Sequence, residues 1–322
     1  MNKISKKCCI YCGCKKVIRW GTRNNKQRWL CKNCNKFFIW KIKINSLTRQ
    51  KIWFKKWIIG KRTLRELSDK SGKSISSLQR LFKNYLDNPP IPKIKPSNNC
   101  HLIIDGTYAS DFCVLNYLDN DLKYLQFYNI VERENYNNYV ADLELLKQSG
   151  LNIVSITSDG QKGLIKAINR VFPDIVHQRC IIHIQRMSKI YLTRNPKTEA
   201  GIALRYWVKK LHEIDSCEKR DFWVMQFEGW QRKYYNFLME KSESLSGRKW
   251  YTHKLLRRTR SLIKNGLPNI FHYLDNPEIP KSTNGLESRF SYFKNNLNIH
   301  RGLSKKNRQS FIFWYNYFKY ND

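Results

Sequence analysis

Hydrophobic and polar positions change period along this chain, and the changes mark out its elements. Residues 62–86 carry two short runs with apolar side chains at helical spacing, Thr63-Leu64-Arg65-Glu66-Leu67 and Ser74-Ile75-Ser76-Ser77-Leu78-Gln79-Arg80-Leu81-Phe82. Ser71-Gly72-Lys73 lies between them, and Thr63 followed by Glu66 is a helix-start signal. The pattern predicts helix, turn, helix. Residues 87–97 then include Pro89, Pro90, Pro92 and Pro96, which favour extended, semi-rigid chain. Beyond them, β-branched and aromatic runs separated by turn residues predict strands over 101–105, 111–117 and 123–131. Residues 138–149 read as a helix ending at Gly150, 152–158 as a strand, 163–171 as a helix and 175–177 as a short strand. From Ile184 to Leu274 the pattern is almost wholly helical, and Ser282–Ser288 reads as the opening of another helix.

Charge narrows the class of partner. Lys and Arg outnumber Asp and Glu 60 to 25, a formal charge of +35, which points to a polyanion and above all to double-stranded DNA. No apolar stretch approaches a membrane span and no secretory signal opens the chain. The expected setting is reducing: cytoplasmic, at the nucleoid, without a membrane. The ten cysteines then read as thiols or metal ligands rather than disulfides. Cys9-Ile10-Tyr11-Cys12 answered by Cys31-Lys32-Asn33-Cys34 has the spacing of a four-cysteine zinc ribbon, with Cys8 and Cys14 leaving the choice of first-knuckle ligands open. A structural Zn²⁺ would replace a core too small to fold alone. Between the knuckles, Arg19, Arg23 and Arg28 line a candidate DNA-facing hairpin, and Ser76, Gln79, Arg80 and Lys83 would face outward from the second short helix into a major groove.

Three carboxylates carry the candidate chemistry. Asp105 ends the apolar run His101-Leu102-Ile103-Ile104, and Asp159 ends Ile153–Ser158; each is followed by glycine. Glu287 sits in Ser282–Ser288, the stretch that reads as the opening of a helix. Acids at strand ends stand where α/β sheets place their sites, and three such groups could hold a pair of Mg²⁺ (or Mn²⁺) ions for phosphoryl transfer. Three strands, a helix, a strand, a helix and a strand follow the order of an RNase-H-like (retroviral integrase-type) core. That order sets the first and fourth strands side by side. The expected fold is α/β: this core with a helical insertion over about 190–280, preceded by a zinc ribbon (1–45), a helix-turn-helix (46–87) and a Pro-rich linker (88–98), the catalytic part being 99–322.

Asp105-Gly106-Thr107-Tyr108, Ser158-Asp159-Gly160, Gln178–His183 and Thr283–Ser288 together resemble the bacterial insertion-sequence transposases of the Mutator-like superfamily. The resemblance spans roughly residues 100–320. It implies that Asp105 bridges two divalent ions, that Asp159 holds one and Glu287 the other, and that the chain cleaves and joins DNA strands at element ends. Members carry a Cys, two residues, then His after the second acid; Cys180 and His183 match. Their role is read as packed or hydrogen-bonded support beneath the site, or a contact to the DNA end, a zinc site with His177 being the alternative. Asn284 and Arg289 flank Glu287 and are candidates for contact with the scissile strand; Arg301 belongs to a basic stretch read as phosphate contacts. Two element ends must be held together, so a homodimer or larger assembly is expected. A DNA-binding regulator with a degenerate core is the second reading, a non-joining nuclease the third.

Overall fold

The structure, a computed structural model, describes residues 8–23, 26–39 and 46–321. The chain divides into two units, Met1–Phe54 and Lys55–Asp322. In the first, β1 (Val17–Arg23), β2 (Lys26–Cys31) and β3 (Phe37–Phe38) form an antiparallel sheet. A bulge between Arg19 and Thr22 is made possible by Gly21, whose φ of 62° suits a residue without Cβ. Among the described residues, its sheet is backed by a small cluster of Cys9, Cys31 and Phe38, with Val17 and Trp29 packed on it. Helix α1 (Ser46–Ile59) begins in this unit and ends in the second.

The second unit opens with α2 (Leu64–Ser71) and α3 (Ile75–Asp87). The expected signals operate: Thr63 accepts from the Glu66 amide at 3.2 Å, Ser74 caps α3, and Gly72 ends α2 at φ 68°. The Pro-rich segment is docked beside residues 124–126: Tyr124 donates to the Lys93 carbonyl (2.7 Å), and the Lys95 amide to Gln126 (2.8 Å).

The main sheet follows. Its strands are β4 (Cys100–Tyr108), β5 (Cys113–Asp119), β6 (Tyr124–Val131), then α4 (Tyr136–Gln148), β7 (Ile153–Ser158), α5 (Lys162–Val171) and β8 (Val176–Arg179). The order across the sheet is β6-β5-β4-β7-β8, antiparallel among the first three and parallel thereafter. The first and fourth strands are neighbours, as the element order implied. One boundary differs from the sequence reading: β4 does not end at Asp105 but runs on to Tyr108, because β5 pairs with it as far as Tyr108↔Cys113. Helices α4 and α5 cover one face through Tyr139, Leu143, Leu164 and Ile168.

An insertion of α6 (Ile181–Leu192), α7 (Glu199–Lys210), α8 (Cys217–Lys233), α9 (Tyr235–Met239), β9 (Lys241–Glu243), β10 (Lys249–Tyr251), α10 (Lys254–Gly266) and α11 (His272–Asp275) precedes the last helices. It has a core of its own, in which Trp223 stacks on Phe227 and Phe227 on Trp230. The hairpin β9–β10 departs from the wholly helical expectation; strands of three residues are too short to show an alternating pattern.

Helices α12 (Asn284–Ile299) and α13 (Lys305–Asn316) close the chain on the other face of the sheet. A Cβ on Gly285 would meet Leu118 and Ile103, and Tyr128 donates to the Phe313 carbonyl at 3.2 Å. Helix α13 also anchors the helix-turn-helix: Trp57 packs against Phe82 and Phe311, and Trp314 donates to the Tyr85 carbonyl at 2.7 Å.

Candidate metal centre

Register positions the acids. Parallel pairing of β4 with β7 ends at Ile104↔Ser158, so Asp105 and Asp159 each follow the last paired residue. Beyond that point β4 is held only by β5, and the sheet opens into a cleft of about 510 Å³ lined by Asp105, His183, Arg186, Glu287 and Lys294. Glu287 enters from the first turn of α12, and His183 and Arg186 from one side of α6, one turn apart. One ligand atom from each of Asp105, His183 and Glu287 lies within 4.8 Å of the others. Asp159 stands outside that group. Its Oδ1 accepts from the Gln161 amide at 2.9 Å, a turn contact at the start of α5.

Burial dominates the electrostatics of Asp105. It pushes the carboxyl up to about 7; His183 opposes the rise, and Asp159 and Glu287 add to it. Burial alone would lower His183. The Cys180 sulfur and the nearby carboxylates of Asp105 and Asp159 outweigh it and raise the imidazole to about 9. Thr283 ties this support together: its amide donates to Cys180 Sγ at 3.3 Å, and its hydroxyl lies 3.3 Å from His183 Nδ1. Arg186 donates to both oxygens of Glu287, at 2.7 and 2.9 Å, and holds its carboxyl below the usual range.

Residues 123–246 match the family described as transposase, Mutator family. Over 101 residues the chain is 33% identical to the transposase for insertion sequence element IS905 of Lactococcus lactis subsp. lactis (strain IL1403), which covers 28% of this chain and 26% of that protein. Over these stretches the chain is similar to Mutator-family and insertion-sequence transposases. It spans about a quarter of the curated relative, 26% of its length. A solved structure, the cryo-EM structure of simian T-cell lymphotropic virus intasome in complex with PP2A regulatory subunit B56 gamma, is 12% identical over 51% of this chain and 69% of that one. Its TM-score is 0.22. The stretch that matches the family contains Asp159, Cys180 and His183; Asp105 precedes it and Glu287 follows it.

Around that stretch, the remaining candidates fall into three sets. The first is the ribbon. Cys9, Cys12, Cys31 and Cys34 bring their sulfurs within 4.8 Å of one another, with Cys9–Cys34 and Cys12–Cys31 at 3.6 Å. Tetrahedral Zn–S bonds of about 2.3 Å set sulfurs about 3.8 Å apart, so the cluster fits zinc. Cys14 stands apart, accepting from the Lys16 amide. The alternative grouping of Cys180 and His183 with His177 does not form among the described residues. His177 instead meets Ser158 Oγ at 2.8 Å.

The second set is the expected DNA contacts. Ser76, Gln79, Arg80 and Lys83 are exposed on α3, as are Arg19 and Arg23 on β1, while Arg28 is half-buried with its guanidinium over Phe37. Asn284 and Arg301 are exposed. Arg289 requires a correction. It donates to the Lys123 carbonyl at 2.8 Å and lies 4.1 Å over the Tyr320 ring, inside the fold. Two residues along a helix is about 200° of rotation, so Arg289 faces away from Glu287.

The third set went unread in the sequence. Arg186 continues the spacing Cys180-x-x-His183-x-x-Arg186, a periodicity that would have pointed to it. Thr283, read only as part of a motif, is the link between Cys180 and His183. Arg179 is buried, and its Nη2 donates to the Asp159 carbonyl at 3.5 Å.

Proposed function

We propose that this chain is a DNA transposase of the DDE type. It would bind the ends of an insertion sequence and catalyse metal-dependent strand cleavage and strand transfer, by in-line attack of water or a 3′ hydroxyl on DNA phosphodiesters. The observation that carries the reading is the meeting of Asp105 and Glu287, from a central strand and a late helix, in a chain with a stretch that matches the Mutator family. The strand order and the two helical faces support an RNase-H-like core.

The donor set fits divalent ions. A buried acid raised to about 7 beside two further carboxylates is a site short of positive charge, and its oxygens suit Mg²⁺ or Mn²⁺. Asp105, Asp159 and Glu287 would hold them. When bound, such a pair supplies a Lewis acid for the attacking oxygen and another for the leaving oxygen. Asp105 contributes rigidity, being fixed in a strand with its Oδ1 accepting from the Gly106 amide. His183, fastened through Thr283, offers a proton donor facing the acids. The zinc ribbon and α3 would bind double-stranded DNA, and two copies would hold two ends.

A regulator with the same DNA-binding parts is the second reading. It is favoured by Arg186, which already occupies both oxygens of Glu287. Cleavage of a plasmid carrying the element ends separates the two. Asp105→Ala, Asp159→Ala or Glu287→Ala should abolish cutting with Mg²⁺ while duplex binding persists. A variant that cuts at the full rate removes that residue from the site, and a parent protein that never cuts removes the enzyme reading.

A further inference from the structure

A second cleft begins at Gly160, the residue after Asp159. It measures about 850 Å³ and is lined by Gly160, Lys162 and Arg179 on the sheet side and by Tyr191, Tyr251 and α10 on the insertion side. Helix α10 contributes Lys254, Arg257 and Arg258. The lining contains five cations and no acid. Arg257 lies 3.5 Å over the Tyr251 ring and Arg258 5.6 Å over Tyr191. At the cleft's inner end, Arg179 is only 6% exposed, yet its Nε has no hydrogen-bond partner in the fold.

We infer that this cleft holds a single-stranded stretch of DNA adjoining the phosphate at the acids; the inference rests on the transposase reading above. Positive charge without acids suits a phosphodiester backbone, and tyrosines backed by guanidinium groups suit bases of any sequence. A duplex is too thick for a cleft of this volume. Gly160 and Arg179, which line this cleft, adjoin Asp159, the one in sequence and the other through its contact with the Asp159 carbonyl. A strand leaving the acids would therefore pass Arg179 and reach the tyrosines. The insertion, on this view, supplies the wall that grips an unpaired strand.

The test uses the full chain, a fluorescent oligodeoxythymidine and a blunt duplex of mixed sequence, read by anisotropy at fixed salt. Arg258→Ala and Tyr191→Ala should each weaken oligodeoxythymidine binding by about ten-fold and leave duplex binding unchanged. Lys264→Ala, exposed on α10 but outside the cleft, controls for lost charge. Equal losses for Lys264→Ala and Arg258→Ala, or full binding by both cleft variants, would overturn the inference. Melting curves matching the parent's keep a folding defect from mimicking the loss. Asp105→Asn should not affect oligodeoxythymidine binding. If Asp105→Asn still cuts plasmid while the cleft variants lose the oligonucleotide, the acid site is misread and the cleft stands.

Discussion

Arg186 and Glu287 form a two-point ion pair, 2.7 and 2.9 Å, between the helix that follows β8 and the helix that closes the acid cleft. Arg186 is half-exposed and Glu287 mostly shielded. The guanidinium uses the same oxygens that a divalent cation would need, so the two compete. A pair this exposed is screened by solvent and contributes about 1 kcal/mol. Arg186→Ala should therefore tighten Mn²⁺ binding by about five-fold, read by calorimetric titration without DNA. Unchanged affinity would mean that the arginine does not guard the carboxylate.

The protonation of Asp105 makes that binding depend on pH. Its carboxyl is raised to about 7, chiefly by burial, so below that pH a cation must displace a proton. Apparent Mn²⁺ affinity should rise about ten-fold per pH unit up to neutrality and level off above it. The same raised value means that the metal-free fold loses stability as pH climbs from the ordinary carboxylate range through about 7. Affinity that stays flat from pH 5 to 8 would show that Asp105 is already ionised.

The strands and their order were legible because β-branched runs bounded by turn residues have few other readings. Asp105 and Asp159 were legible as acids closing apolar runs, and Glu287 as an acid at the opening of a helix. Their partners were not. Arg186 meets Glu287 across 101 residues of sequence separation, and no local pattern encodes such a contact. Arg289 was misread for the opposite reason: nearness in sequence stood in for nearness in space, and the helical turn put it on the other side. The ribbon was the clearest case, since two paired thiols at fixed spacing leave little else to do. Where β4 ends was hidden because Gly106 interrupts its apolar run, although its pairing with Leu115 continues.

The ribbon should depend on its ion. Among the described residues, its buried cluster is Cys9, Cys31 and Phe38, too few to hold a fold. Stripping zinc with a chelator, or Cys31→Ser, should expose residues 8–39 to protease. The core from 55 onward should survive, because its sheet and insertion have their own cores. Resistance of the ribbon in chelator would argue that no metal holds it.

His177 should mark acid sensitivity. Its imidazole is lowered to about 4, first by burial and then by Arg179 and His272. A depressed histidine contributes stability that is complete above the unfolded value near 6.5 and is lost as pH falls through about 4. The full difference is at most about 3 kcal/mol. His177→Gln, whose amide could still reach Ser158, should flatten the fall in melting temperature between pH 6.5 and 4. A variant as acid-sensitive as the parent would shift the cause to other groups.

Gly160 and Arg179 should behave as a coupled pair. Gly160 sits at φ 83°, and a Cβ there would lie 1.8 Å from Arg179 Nε. Gly160→Ala therefore meets two penalties, a left-handed backbone of about 1–2 kcal/mol and displacement of a buried guanidinium. Arg179→Ala removes the obstacle but not the backbone cost. The double variant should consequently be more stable than the two single losses add up to, by about 1 kcal/mol or more in a thermodynamic cycle. Strict additivity would mean that the arginine moves aside freely, and that its place beside Asp159 is not enforced by the glycine.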